Sequence, residues 1–284
     1  MNWFPAPGKL NLFLHVLGRR ADGRHELQTA FRLIERGDRV GIEVRGDGEI
    51  RRHDALPGVP EEADLCVRAA RLLRAESGAA QGADLALDKR LPIGGGLGGG
   101  SSDAATTLIV LNRLWGVGWP RERLLQLAAR LGADVPLFVF GENAIGEGLG
   151  ERLRALALPD AWYLVLVPPA ALSTRDVFSD NTLTRNTKRL KIPPFFSGLG
   201  GNDLEAVAVK RSPEIAAHLA WLRARQAQAR MTGSGACVFA EFAAPAEAQG
   251  VLGELPGTMR GFVTRGLERH PLHELEPLGS RQVG

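Results

Sequence analysis

Cysteine is scarce in this sequence, and long apolar runs are missing from it. The two cysteines, Cys66 and Cys237, lie far apart and have no neighbours at metal-ligand spacing, which fits a reduced, cytoplasmic compartment. The longest apolar stretch, residues 162–172, is too short to cross a bilayer and is interrupted by Pro168 and Pro169. The first residues lack a basic segment followed by an apolar one, so we expect no signal peptide and no membrane partner.

A strong charge of either sign is also missing. The formal net charge is only +3 and the charges are spread along the chain, so the sequence does not predict the basic face that nucleic acid requires. A small positive charge suits anionic small molecules better. No internal repeat and no low-complexity tract occurs. The 284 residues are enough for two domains, and the apolar share of 44% is that of a globular protein.

Metal-ligand patterns are equally scarce. His270 and His273 have the spacing of metal ligands, but they lie in a polar segment with no acidic or cysteine partner arranged around them. We therefore expect both imidazoles to be solvated and assign no metal ligand to them.

Glycine is concentrated at one place. Six of the seven residues 94–100 are glycine, and a packed domain rarely gives up so much backbone entropy without a use. Ser101 and Ser102 are good N-cap residues, Asp103 suits a first helical turn, and apolar residues follow at helical spacing. The stretch predicts a glycine loop that leads into a buried helix. Exposed amides and the helix dipole make such a loop an anion site, and phosphate is the usual anion.

Three kinds of phosphate loop are compatible with so many glycines, and the flanking residues separate them. No lysine follows the loop, which excludes the P-loop motif. Gly94, Gly96 and Gly99 match the dinucleotide fingerprint, but residues 115–120 offer no acidic residue about 20 positions on. A flexible linker is disfavoured, because linkers are not followed at once by a capped apolar helix.

The third pattern, Pro-x-x-x-Gly-Leu-Gly-x-x-Ser-Ser, fits residues 92–102 position by position. It resembles the ATP loop of the GHMP small-molecule kinases, a superfamily that includes galactokinase, homoserine kinase and mevalonate kinase. The resemblance implies that ATP is bound by Pro92, Ile93, Gly94, Gly95, Gly96, Leu97, Gly98, Gly99, Gly100, Ser101 and Ser102.

The N-terminal residues 5–16 predict a loop that enters a strand. From Lys9 the pattern alternates, with leucines on the core face and Lys9, Asn11, Phe13 and His15 on the other, which without context indicates an ordinary exposed strand face. The segment resembles the superfamily's N-terminal motif Ala-Pro-(Ala/Gly)-Lys-x-Asn-Leu, which makes Lys9 a catalytic candidate and Asn11 a substrate-binding candidate.

Residues 132–138 read Gly-Ala-Asp-Val-Pro-Leu-Phe, in which Asp134 could simply cap a short helix. The same residues resemble the segment where these kinases keep their catalytic aspartate, and capping and catalysis are compatible. Residues 231–236 resemble the third superfamily motif, so the three motifs occur in the superfamily order.

Residues 20–29 contain the hairpin signal Asp22-Gly23 and resemble one branch of the superfamily, whose acceptor is a cytidine-diphosphate-linked methylerythritol. Arg24 departs from the pattern, because that branch normally has tyrosine there. The resemblance implies that His25 recognises the cytosine, that Phe178 lies against its ring, and that Thr174 sits beside the substrate.

The fold that the resemblance implies is α+β with two domains and the active site in the cleft between them. Residues 1–158 are expected to form an ATP-binding domain of the ribosomal-S5-like kind, and residues 159–284 a ferredoxin-like substrate domain. The apolar strand at 162–167 is expected to open the second domain.

The resemblance also implies the chemistry. Asp134 would take the proton from the acceptor's 2-hydroxyl, while Lys9 would keep Asp134 ionised and stabilise the transferring group. Mg²⁺ is implied without assigned ligands, with the hydroxyls of Ser101 and Ser102 as candidates. The product would be a 2-phosphate of the non-mevalonate isoprenoid pathway. The alternatives are a mevalonate or homoserine kinase, a catalytically idle nucleotide sensor and, more remotely, a dinucleotide-dependent oxidoreductase. The sequence carries no signal for an oligomeric state.

Overall fold

The computed structural model describes residues 1–53, 56, 58–170, 172–191 and 200–274, which form two sheets with helices packed against them. The first part of the chain contains β1 (Asn2–Arg19), β2 (His25–Arg45), β3 (Ile50–Arg52), a 3₁₀ turn (Glu61–Ala63), α1 (Leu65–Ser77), β4 (Gly82–Asp88), α2 (Gly99–Leu114), α3 (Arg121–Leu131), α4 (Val135–Phe140), β5 (Ala144–Gly148) and β6 (Arg152–Ala155). The second part contains β7 (Trp162–Leu166), α5 (Thr174–Ser179), α6 (Glu205–Arg211), α7 (Pro213–Arg223), β8 (Arg230–Met231), β9 (Val238–Phe242), α8 (Pro245–Gly253) and β10 (Gly261–Arg265).

The long strand β2 is the centre of the first sheet. It pairs antiparallel with β1 along almost its whole length, and on its other side with β5 through its first part and with β4 through its second. The outer strands β6 and β3 complete the order β3-β4-β2-β5-β6, with β3 parallel to β4. The predicted Asp22-Gly23 hairpin, between β1 and β2, is confirmed. The second sheet has the order β10-β7-β9-β8, so the predicted strand at 162–167 is confirmed as one of its inner strands.

Strand β1 begins earlier than the sequence predicts. The prolines at 5 and 7 led us to expect a loop, whereas β1 starts at Asn2 and pairs with β2 throughout, with a bulge between Pro7 and Gly8. A proline is tolerated there because β1 lies at the edge of the sheet and the bulge interrupts the ladder. The bulge lies directly before Lys9.

Both faces of β1 are buried, which differs from the exposed strand face that its alternation indicates without context. Lys9, Asn11, Phe13 and His15 are each at most 7% exposed. Residues of the second half contribute to this burial: a Cβ on Gly233 would lie 3.3 Å from Lys9 Nζ, and one on Gly200 would lie 2.8 Å from Phe13 Cβ. Leu14 and Val16 belong to the apolar core beneath the second sheet. Strand β1 therefore connects the two halves.

Helix α2 follows the glycine loop as predicted and is buried along most of its length. Its cap differs from the prediction. The N-cap residue is Gly98, in the left-handed conformation with φ of 72°, while Ser101 and Ser102 already lie inside the first turn. The glycine loop thus bends directly into the helix and needs no side-chain cap.

The chain returns to the first sheet after β10. The amide of Leu267 donates to the carbonyl of Leu33 (2.7 Å), and Leu272 packs into the first core. The expectation of solvated histidines is wrong for His270, which is 2% exposed and accepts a hydrogen bond at Nδ1 from the amide of Leu272. Burial lowers the pKa of His270 to about 3, so its imidazole is neutral. His273 is partly buried against Glu142, at 3.2 Å.

The register between β1 and β2 leaves no space for a side chain at Gly37. A Cβ there would lie 2.3 Å from the carbonyl oxygen of Ala6 and 2.6 Å from Cα of Pro7. We expect Gly37→Ala to lower the free energy of unfolding by about 2 kcal/mol, measured by urea titration, because the backbone of β1 must move. The control is Gly46→Ala, where a Cβ would meet nothing within 4 Å and a change within about 0.5 kcal/mol is expected. Equal stability of the two variants would contradict this register.

Candidate functional site

Three adjoining depressions lie along the glycine loop and the start of β1. The loop cavity, of about 380 Å³, lies between the loop and α1. The central cleft, of about 330 Å³, is lined by β1, the loop, Asp134 and residues 233–235. The outer pocket, of about 950 Å³, lies beside the β1–β2 turn and α5. The loop cavity and the cleft share loop residues, and the cleft and the outer pocket share Leu27, Ala133, Leu149 and Phe178, so the three form one continuous path.

Lys9 and Asp134 meet in the central cleft. The distance from Lys9 Nζ to Asp134 Oδ2 is 3.4 Å, with the lysine side chain 3% exposed and the aspartate side chain 35% exposed. Asp134 occupies the N-cap position of α4, but its side chain makes no capping hydrogen bond. Its carboxylate is therefore directed to the lysine and the cleft, and does not cap the helix.

Asn11 holds the buried ammonium from its other side. Lys9 Nζ donates to Asn11 Oδ1 (2.5 Å), and Asn11 Nδ2 donates to the hydroxyl of Thr29 (2.9 Å). The hydroxyl of Thr232 accepts from the backbone amide of Asn11 (2.9 Å). A buried charge is tolerated only when such partners replace water. Sequence reasoning found Lys9 and Asn11 but gave no role to Thr29 and Thr232, because their contacts join positions 18 and 221 residues apart.

The glycine loop lies flat between β1 and the 232–235 turn. Gly94, Gly96 and Gly98 all have φ near 75°, a region that other residues avoid. A Cβ on Gly96 would lie 2.3 Å from the carbonyl oxygen of Thr232, and one on Gly98 would lie 2.9 Å from the Phe138 ring and 3.1 Å from Lys9 Cγ. The loop backbone therefore lies so close to Thr232, Phe138 and Lys9 that only glycine fits at positions 96 and 98.

The loop cavity is largely apolar on the side opposite the glycines. Its apolar lining consists of Leu56, Val59, Ala63, Leu65, Leu87, Pro92, Ile93 and Leu97. Ile93 is 69% exposed, which is unusual for an isoleucine and leaves its side chain available to a ligand. Ser101 lines both the loop cavity and the cleft, whereas Ser102 is fully buried and its Oγ has no hydrogen-bond partner among the described residues.

A buried ionic network supports the loop from below. Lys89 Nζ contacts Asp38 Oδ2 and, at 2.7 Å, Asp103 Oδ2, while Asp38 Oδ1 accepts from the amides of Arg90 (2.6 Å) and Leu91 (2.8 Å). Burial raises the pKa of the Asp103 carboxyl to about 7, against the opposing effect of Lys89. The network ties β2, α2 and the residues before the loop together. Sequence reasoning missed it, since only the charged run before the loop hints at it.

The outer pocket brings together the predicted His25 and Phe178. Their ring centroids are 5.1 Å apart at an interplanar angle of 31°. Four arginines line the same pocket against one aspartate, Asp22: Arg19, Arg24, Arg175 and Arg185. Sequence reasoning had singled out only Arg24 among the four. Thr174 lies at the boundary with the cleft, with its hydroxyl 2.8 Å from the hydroxyl of Ser234.

The surroundings of His25 favour the neutral form of its imidazole. Burial lowers the pKa of its imidazole, and the charges of Arg185 and Arg19 lower it further. Arg185 Nε donates a hydrogen bond of 3.0 Å to His25 Nε2. Arg24 is exposed, and its backbone amide donates to Asp22 Oδ1 (3.0 Å), which shapes the turn.

Family models and curated relatives all place the chain in the same family. Residues 64–142 match the model of the GHMP kinases N terminal domain, and residues 191–261 that of the GHMP kinases C terminal domain. The chain is 61% identical to the 4-diphosphocytidyl-2-C-methyl-D-erythritol kinase of Nitrosospira multiformis, over 95% of this chain and 92% of that protein. It is 60% identical to the enzyme of the same name from Thiobacillus denitrificans, over 96% and 98%.

Solved structures agree with these relatives. A crystal structure of 4-(cytidine 5'-diphospho)-2C-methyl-D-erythritol kinase superposes with a TM-score of 0.80 at 33% identity, covering 94% of this chain and all of that one. The mevalonate kinase of Methanococcus jannaschii superposes with a TM-score of 0.67 at 14% identity over 94% and 98%, which shows a shared fold. Within the described residues, no helix is both long enough and apolar enough to cross a membrane.

The flat loop predicts that Gly98 cannot be replaced without loss of nucleotide binding. Gly98→Val places a branched side chain at positive φ and against Lys9 and Phe138, so we expect binding of a nucleoside triphosphate to weaken about tenfold or more. Gly250→Ala is the control, because it lies in α8, away from the loop, and a Cβ there would meet nothing within 4 Å. Calorimetric titration of both variants checks this. Wild-type affinity in a folded Gly98→Val protein would contradict it.

Proposed function

The chain belongs to the 4-diphosphocytidyl-2-C-methyl-D-erythritol kinases of the GHMP family, and we propose that it transfers a phosphoryl group from ATP to the 2-hydroxyl of 4-diphosphocytidyl-2-C-methyl-D-erythritol. This reaction serves the methylerythritol phosphate route to isoprenoid precursors. The fold of the chain is the two-domain α+β fold of that family. The observation that carries the proposal is the Lys9–Asp134 pair, held in a cleft that opens on one side to the glycine loop and on the other to the His25–Phe178 pocket.

We propose a division between β6 and β7, with an ATP-binding domain over residues 1–158 and a substrate domain over 159–284. The first sheet lies wholly before this point and the second wholly after it, which supports the division. We also propose a cytoplasmic location, which is supported by two free, buried cysteines and by the use of ATP.

The ATP phosphates would lie on the backbone of residues 94–100 at the N-terminus of α2. The loop's glycines leave the amides accessible, and the helix dipole favours negative charge there. The apolar lining of the loop cavity, including Pro92 and the exposed Ile93, suits the purine base. The cavity volume of about 380 Å³ is within the range of small-ligand sites.

The acceptor would extend from the outer pocket into the cleft. Its cytosine would bind at His25 and Phe178, and the basic lining of the pocket suits the diphosphate bridge, with Arg24 and Arg175 as exposed guanidiniums. Thr174 and Asn11 lie along the cleft towards Lys9, where the methylerythritol unit would end. The continuous path through the cleft and outer pocket supports this placement.

The chemistry needs one proton and one phosphoryl group to move. The 2-hydroxyl proton passes to the Asp134 carboxylate as the acceptor oxygen bonds to the γ-phosphorus, and the bond to the β-phosphate oxygen breaks to release ADP. Lys9 sits beside Asp134 and carries a buried positive charge, so it stabilises the charge on the transferring group. Positioning and charge neutralisation supply most of the rate in such reactions.

A Mg²⁺ ion fits this site as a companion of the nucleotide. Among the described residues, no group of three or more His, Cys, Asp or Glu side chains could hold a metal ion. That is compatible with Mg²⁺, which often takes one or two protein oxygens and completes its shell with phosphates and water. We propose the hydroxyls of Ser101, which faces both cavities, and Ser102, whose Oγ lacks a partner among the described residues, as its protein oxygens. When bound, the ion neutralises charge on the phosphates.

The Lys9–Asp134 pair predicts a non-additive pair of variants. Asp134→Asn should lower kcat about 10²-fold or more with little change in ATP affinity, since a positioned base is lost. Lys9→Met should do the same, and the double variant should lose less than the product of the two losses, because the residues act together.

Steady-state kinetics with the cytidine acceptor, and calorimetry with ATP, measure both quantities. Near-UV circular dichroism serves as the folding control, because Lys9 is buried. Nearly intact turnover in Asp134→Asn would mean that Asp134 only begins a helix, and would contradict the proposed mechanism.

The outer pocket predicts different effects for two adjacent residues. His25→Ala should raise the KM of the acceptor far more than that of ATP and relax discrimination against a uridine analogue, because a base edge loses its partner. Arg24→Ala should be milder for the base and should make acceptor binding less sensitive to salt if its guanidinium meets the diphosphate. Arg113→Ala, at the far end of α2, is the control. An unchanged acceptor KM in both pocket variants would place the cytidine elsewhere.

A further inference from the structure

Arg185 connects the imidazole of His25 to the backbone of Phe178 in the outer pocket. Its guanidinium donates to His25 Nε2 (3.0 Å) from Nε and to the backbone carbonyls of Phe178 (2.9 Å) and Asp180 (2.8 Å) from Nη2. Its Nη1 donates to the carbonyl of Leu183 (3.1 Å). One side chain thus joins the start of β2, where His25 lies, to the end of α5, where Phe178 lies.

The contact with His25 fixes the position of the imidazole proton. A guanidinium carries only donors, so His25 Nε2 must accept and cannot hold a proton. The ring of a neutral histidine then has its proton on Nδ1, which makes no hydrogen bond with the described residues. Because His25 lines the outer pocket, Nδ1–H is a donor that a ligand can use.

A fixed donor distinguishes two bases that differ little in shape. The N3 atom of cytosine is an unprotonated acceptor, whereas N3 of uracil carries a hydrogen. An Nδ1–H donor can therefore pair with N3 of cytosine but meets a second donor at N3 of uracil. The opposite tautomer of His25 would present an acceptor at Nδ1 and would suit uracil. A donor without an acceptor in a partly buried pocket costs binding free energy.

We propose that Arg185 is a positioning residue that holds His25 in the Nδ1–H tautomer and so makes the outer pocket select cytosine over uracil. The inference rests on the proposed function for the identity of the base. Arg185 would then determine specificity without touching the reacting atoms and without needing to contact the base. This role also explains why an arginine lies against a histidine, since that contact opposes protonation of the imidazole.

Binding of CDP and UDP tests this without phosphoryl transfer. We expect Arg185→Met to lower the ratio of the two affinities about tenfold, the value of one hydrogen bond, and Arg185→Lys to restore part of it by donating to Nε2. The matched control is Arg211→Met, which removes two hydrogen bonds to Asp180 Oδ2 (2.8 and 3.0 Å) and loosens the same segment without touching His25. Its ratio should stay at the wild-type value.

Equal losses of CDP and UDP affinity in Arg185→Met would mean that the residue only supports the fold of the segment, and would overturn the proposal. So would an unchanged ratio. If the wild-type protein phosphorylates no cytidine acceptor yet prefers CDP to UDP, the proposed function fails while this inference stands.

A second measurement reads the tautomer directly, and its wild-type part does not depend on whether a variant folds. The ¹⁵N shifts of the ring nitrogens of His25 distinguish the two neutral tautomers. We expect the Nδ1–H pattern in the wild-type protein and a shift towards Nε2–H in Arg185→Met, with the Arg211→Met spectrum unchanged. An Nε2–H pattern in the wild-type protein would overturn the proposal.

Discussion

A buried ammonium group is the constraint on which the rest of the structure depends. Lys9 Nζ is almost completely removed from water, and a charge in that position is stable only with close polar partners. Asn11 supplies an amide oxygen from the same strand, Asp134 supplies a carboxylate from the start of α4, and the Phe31 ring lies 5.8 Å away. The burial itself involves both halves of the molecule, because Gly98 from the first and Gly233 from the second lie against the lysine side chain. The glycine loop must then lie flat, since any side chain at Gly98 would meet the lysine.

Two supporting contacts extend this constraint to the ligand pockets. In the Lys89 network, Asp38 contacts Lys89 and accepts hydrogen bonds from the backbone amides of the residues just before the glycine loop. These bonds fix the position at which the loop begins. Arg185 fixes the outer pocket in a comparable way, through His25 and the carbonyl of Phe178. In both cases a charged side chain orders backbone and rings that line the proposed ligand pockets. In the proposed site, such residues would determine how accurately the phosphates and the base are aligned with Lys9 and Asp134.

The sequence predicted those parts of the site that depend on local pattern. The glycine loop, the helix after it, the Asp22-Gly23 hairpin and the strand that opens the second half follow from spacing, turn chemistry and a hydrophobic run. Lys9, Asp134 and His25 were found through motifs. Long-range pairing was not accessible: Arg185 reaches a histidine 160 residues away, and Lys89 reaches Asp38 across 51 residues.

The differences between sequence and structure have the same origin. The alternation along β1, taken without context, indicates one exposed face, because the residues that cover this face lie far away in the sequence. His270 was expected in water because the return of the tail to the first core is a tertiary event. Ser101 and Ser102 were expected as caps because of their residue type, whereas Gly98 already supplies the left-handed turn.

The central claim is that Lys9 and Asp134 direct the phosphoryl group of ATP to one hydroxyl of a cytidine-diphosphate-linked acceptor. Mass-resolved assay of the wild-type protein with ATP and a panel of acceptors, followed by NMR of the product, tests it most directly. The account predicts one added phosphoryl group on 4-diphosphocytidyl-2-C-methyl-D-erythritol, at the 2-position, and none on mevalonate or homoserine. Transfer to one of those two alcohols instead, or nucleotide binding with no transfer to any acceptor, would contradict it.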